Sequence, residues 1–95
     1  MDLGDLKDKI RSICEDSGIA MLGVFGSVAR GEDRPDSDVD ILIRFAKPIG
    51  LVDLIRLEDR FERALGRRVD LGVEGSLHPL IKEQALKDLK ILYEV

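Results

Sequence analysis

A chain of 95 residues that is 44% apolar and 36% charged, with a formal net charge of −4, has the make-up of one folded domain with a single core, and neither a disordered segment nor a membrane span fits it. Acids outnumber lysines and arginines 19 to 15, and the basic residues are scattered, so no basic face is available for a nucleic-acid backbone. The opening Met1-Asp2-Leu3-Gly4-Asp5 has none of the basic and apolar regions of a signal peptide, and a lone cysteine, Cys14, excludes an internal disulfide, so a reducing, cytoplasmic setting is expected.

Leu6, Ile10, Ile13 and Cys14 recur at helical spacing, and Ser17-Gly18 supplies a stop, so residues 5 to 17 are predicted to form an amphipathic helix. Cys14 lies in its apolar stripe and is expected to be a core residue. Met21 to Phe25 has the composition of a buried strand. A short helical turn is predicted from Ser27 to near Gly31, then a polar loop from Glu32 to Asp36. Val39 to Phe45 is the second strand.

Pro48 and Gly50 break the chain before a longer helix, whose apolar face is predicted to comprise Leu51, Leu54, Ile55, Leu57, Phe61 and Leu65, with Gly66 as its stop. Its mixed charges, such as Arg56 with Asp59, mark a solvated face. Val69 to Val73 forms a third strand, Gly75-Ser76 a turn, and Pro79 to Lys87 a helix with proline tolerated in its first turn. His78 is expected to cap that helix or sit at the surface. Ile91 to Tyr93 completes the chain as an edge strand. The expected fold class is α+β (α/β), a small mixed β-sheet flanked by helices in one domain over residues 1–95.

Two familiar motifs fail on inspection. Gly26-Ser27-Val28-Ala29-Arg30-Gly31 has the glycine spacing of a P-loop, but Glu32-Asp33 stands where lysine and a hydroxyl residue must meet the phosphates. Asp36, Asp38 and Asp40 imitate half of a calcium loop, but Ile41 replaces its glycine and Lys47 its bidentate glutamate.

What remains is a strand ending at Gly26, with Ser27 opening a helix as either a plain cap or a phosphate contact. After ten intervening residues, Asp38 and Asp40 flank Val39, and the alternation of a strand puts both carboxylates on one face, where they invite a cation. Asp70, between Val69 and Leu71, is a third acid. It either pairs with Arg67 or Arg68 or, if its strand neighbours the second, joins Asp38 and Asp40 in an oxygen-rich site suited to Mg²⁺.

Gly26-Ser27, Asp38-Val39-Asp40 and the later Leu65-Gly66-Arg67-Arg68-Val69-Asp70-Leu71 make the chain resemble the minimal nucleotidyltransferases of the DNA polymerase β-like superfamily. The resemblance runs from about Gly23 to the C-terminal Leu92-Tyr93-Glu94. It implies a mixed sheet with flanking helices, two Mg²⁺ ions held by Asp38, Asp40 and Asp70, and ATP bound by Ser27 and the amides after Gly26. In its minimal prokaryotic form it further implies an antitoxin that attaches AMP to a tyrosine of a helical HEPN RNase toxin.

Asp70 is also a candidate acceptor of the hydroxyl proton. Arg30 is read as either a triphosphate contact or a partner of Asp36 or Glu32, and Ser37 as either a turn residue or a phosphate contact. Two rival readings stand beside this one. One is a non-catalytic module that silences its partner by occlusion. The other is a transferase acting on a small molecule such as an aminoglycoside, for which the chain has little room to build a pocket.

Overall fold

The computed structural model describes residues 1–95 as α1 (Leu3–Asp16), β1 (Ile19–Phe25), α2 (Gly26–Arg30), β2 (Val39–Phe45), α3 (Leu51–Leu65), β3 (Val69–Val73), α4 (Pro79–Asp88) and β4 (Lys90–Glu94). The sheet runs β3-β2-β1-β4; β2 and β3 are parallel, and β1 is antiparallel to both β2 and β4. The parallel pair needs a long crossover, which α3 provides. This is the expected small mixed α+β sheet, with β4 at one edge as predicted.

Element boundaries move slightly where side chains intervene. α1 starts two residues early because the Asp2 carboxylate accepts hydrogen bonds from the Gly4 and Asp5 amides at 2.8 and 3.3 Å. An aspartate that satisfies free first-turn amides sets the helix start more firmly than apolar spacing does. His78 caps α4 through Nδ1, which accepts from the Leu80 amide at 3.2 Å.

One face of the sheet carries the main core. Leu22 and Val24 of β1, with Val39, Ile41 and Ile43 of β2, pack against Leu6, Ile10, Ile13 and Cys14 of α1 and Leu57, Phe61 and Leu65 of α3. Burial pushes the Cys14 thiol up to about 12, so it stays protonated and inert.

The expected apolar face of α3 is only half used: Leu51 and Ile55 are 72% and 60% exposed, and Leu54 is half-buried. α3 packs against α1 and β3 through Leu57, Phe61 and Leu65, and its first turns reach past that contact. Helical spacing reports which residues share a face, not how far along the helix a neighbour extends.

Candidate active site

The alternate positions of β2 turn Asp40 and Leu42 to the face away from the main core. Across the sheet, Asp40 is the register partner of Phe25 on β1 and of Asp70 on β3. Asp38 lies one residue before β2. The three acids therefore gather at the end of the sheet where β1 passes into α2.

No basic side chain pairs with any of them. Neither Arg67 nor Arg68 reaches Asp70, which is exposed, so the ion-pair reading of that residue is set aside. Asp40 is half-buried, and its carboxyl is held above the usual carboxylate range, first by burial and then by the negative charges of Asp70 and Asp38, with Arg30 opposing. Burial leads the shift and the two neighbouring acids add to it; that second contribution is the one a divalent cation would relieve.

Gly26 has φ +70°, and a Cβ there would overlap the Asp40 carboxylate. Its lack of a side chain, expected from the sequence to let a ligand approach, thus has a second role in making room for the Asp40 carboxylate. This second role is invisible in the linear sequence, because it depends on β1 and β2 being paired. Ser27 is not the cap of α2: the N-cap position is Phe25, and no side chain caps that end. Ser27 sits instead within the first turn, half-buried, beside amides that no capping side chain occupies.

Arg30 bonds Glu32 at 3.1 Å and Asp88 of α4 at 2.6 Å, so of its two expected carboxylate partners only Glu32 is engaged. Ser37 is a turn residue: its hydroxyl accepts from the Arg34 amide at 2.8 Å, and its own amide donates to the Arg34 carbonyl at 2.9 Å. Sequence reasoning missed Asp33 and Asp88 because each partner is more than 30 residues away. Arg67, one of two alternative partners for Asp70 in the sequence, pairs instead with Asp33.

The three carboxylates do not close into a ready-made cage of three ligands. Their all-oxygen donor set nonetheless fits Mg²⁺, which is commonly held by one or two carboxylates together with water and phosphate oxygens. The site is open at the surface. The largest cavity, about 600 Å³, lies at the opposite end of the sheet beside Ser17, Phe45 and Arg56, and none of the acids lines it.

The model of the nucleotidyltransferase domain family matches residues 6–92. The chain is a member of that family. Among relatives of this nucleotidyltransferase domain is protein adenylyltransferase MntA of Thermococcus cleftensis, 42% identical over 79 residues that cover 83% of this chain and 80% of the relative.

Two solved structures share the nucleotidyltransferase fold. One is a toxin–antitoxin complex with AMP-PNP, with TM-score 0.83 and 24% identity over 94% of this chain and 73% of that one. Another is a tri-AMPylated Shewanella oneidensis HEPN toxin in complex with MNT antitoxin, with TM-score 0.78 and 21% identity over 99% of this chain and 74% of that one.

Proposed function

We propose that this chain is a Mg²⁺-dependent protein adenylyltransferase that moves AMP from ATP to a tyrosine hydroxyl of a HEPN RNase partner and so acts as an antitoxin in the cytoplasm. The observation that carries the reading is the gathering of Asp38, Asp40 and Asp70 beside Gly26-Ser27, with no basic side chain in an ion pair with any of them. The 42% identity to an adenylyltransferase supports AMP as the transferred group. The fold neighbours, one with AMP-PNP and one with an AMPylated HEPN toxin, support the donor and the acceptor.

In this reading Asp38 and Asp40 are the principal metal ligands, and Asp70 completes the set. Bound Mg²⁺ supplies charge stabilisation for the attacking and departing oxygens of an in-line displacement. The first amides of α2 and the Ser27 hydroxyl hold the triphosphate. The acceptor oxygen bonds to the α-phosphorus, the bond from that phosphorus to the β-phosphate oxygen breaks, and pyrophosphate leaves. The hydroxyl proton passes to Asp70, which is exposed, makes no ion pair and lies across the sheet from Asp40. A tyrosine with an ordinary pKa of about 10 needs such an acceptor at neutral pH.

Arg30 is already engaged by Glu32 and Asp88, and its favourable field at Asp40 is the role it can play without leaving them. Ser37 is proposed only as a secondary phosphate contact, since its hydroxyl retains a proton to donate while it accepts from Arg34. An open site suits an acceptor that brings its own docking surface, as a folded protein does.

Incubation with labelled ATP, Mg²⁺ and the protein encoded beside it tests the proposal. The neighbour should become labelled on tyrosine, and Asp38→Ala or Asp40→Ala should abolish the label. Suppression of the partner's toxicity with no label transferred by wild type would replace catalysis with occlusion.

A further inference from the structure

The loop between α2 and β2 delivers Asp38; the Met1 amino group reaches its Asp33 and Arg30 its Glu32, but only Arg67 also bonds the loop backbone next to Asp38. Arg67, between α3 and β3, donates from Nη1 to Asp33 Oδ2 at 2.9 Å, from Nη2 to the Arg34 carbonyl at 2.6 Å, and from Nε and Nη2 to the Ser37 carbonyl at 3.1 and 2.8 Å. Both charged partners are largely shielded, with side-chain exposures of 11% for Arg67 and 4% for Asp33.

Two residues past Ser37, the Val39 amide donates to the Arg68 carbonyl at 2.9 Å. The peptide groups on either side of Asp38 are thus both anchored to the dipeptide Arg67-Arg68, which also leads into the strand carrying Asp70. Asp38 itself is exposed and makes no ion pair. A backbone held on both sides with a free carboxylate is the arrangement expected of a ligand set in place before its ion arrives.

We infer that Arg67 is a positioning residue, a guanidinium clamp that fixes the Asp38 backbone relative to Asp40 and Asp70 and thereby sets the affinity of the site for divalent cations. The inference rests on the metal-binding reading above. The planar fork is essential to it: one guanidinium spans a carboxylate and two carbonyls, whereas an ammonium is a single point charge on a flexible stem. Arg67→Lys therefore keeps a cation beside Asp33 but cannot hold both carbonyls.

The test is Mn²⁺ binding without nucleotide, followed by water-proton relaxation, on wild type, Arg67→Lys, Arg67→Ala and Asp38→Asn. Ile10→Ala in the distant α1 core serves as a variant that is merely destabilised. Arg67→Lys should weaken Mn²⁺ binding about tenfold or more, as loss of a group supporting a metal ligand commonly does. Ile10→Ala should leave Mn²⁺ binding unchanged at a temperature where both are folded. Amide exchange at Val39 should quicken in Arg67→Lys without a matching change in the α1 core.

Arg67→Lys binding Mn²⁺ as tightly as wild type would overturn the clamp while leaving the metal site intact. Equal weakening by Ile10→Ala would also overturn it, by reducing Arg67 to a stability residue. If wild type holds Mn²⁺ no better than Asp38→Asn, the metal reading and the clamp fall together. Arg67→Ala, if it folds, should be at least as impaired as Arg67→Lys.

Discussion

Gly26 shows how closely backbone and chemistry are joined at this site. Its left-handed φ of +70° would burden any other residue by roughly 1 to 2 kcal/mol, and a Cβ would in addition strike the Asp40 carboxylate. Gly26→Ala is therefore expected to lower stability by at least that backbone amount in urea unfolding. Label transfer should fall about a hundredfold, since ligand displacement by even an ångström disrupts in-line geometry. An active, fully stable Gly26→Ala protein would show that the close approach to Asp40 has no functional weight.

At the scale of elements, the α2–β2 loop is tied to the start of β3 by the Asp33–Arg67 pair. Arg67, with the Met1 amino group second, holds the Asp33 carboxyl below the usual aspartate range. The folded state thus binds a proton there less readily than the unfolded chain. The pair's stabilisation is complete above the unfolded value of about 3.9 and is lost as pH falls through the lower folded value. Urea midpoints should decline on acidification below about pH 4, and Asp33→Asn should flatten that decline. An unchanged acid limb in Asp33→Asn would mean that other carboxylates govern it.

For the molecule as a whole, the site works against the fold that carries it. Asp40 is held above the usual range, so its ionised form destabilises the folded state at neutral pH, and that burden disappears only as pH falls below the unfolded value. Asp40→Asn should therefore melt higher than wild type by a few degrees at pH 7 without divalent ions, while being inactive. Mg²⁺ should raise the melting temperature of wild type and leave Asp40→Asn little changed. A lower melting temperature for Asp40→Asn at pH 7 would show that the carboxylate is locally satisfied.

The linear chain by itself determined the eight elements, the mixed sheet and the Gly26-Ser27, Asp38, Asp40 and Asp70 constellation. Strand alternation, helical spacing and glycine stops act over a few residues, so their consequences can be read locally. Only the tertiary structure decided that Asp70 sits opposite Asp40, that Gly26 makes room for that carboxylate, and that Arg67 grips Asp33 rather than Asp70. It also decided which half of the α3 face is covered. Charge pairing and burial depend on which distant segments meet, and that is fixed by strand register and crossover packing, not by neighbours along the chain.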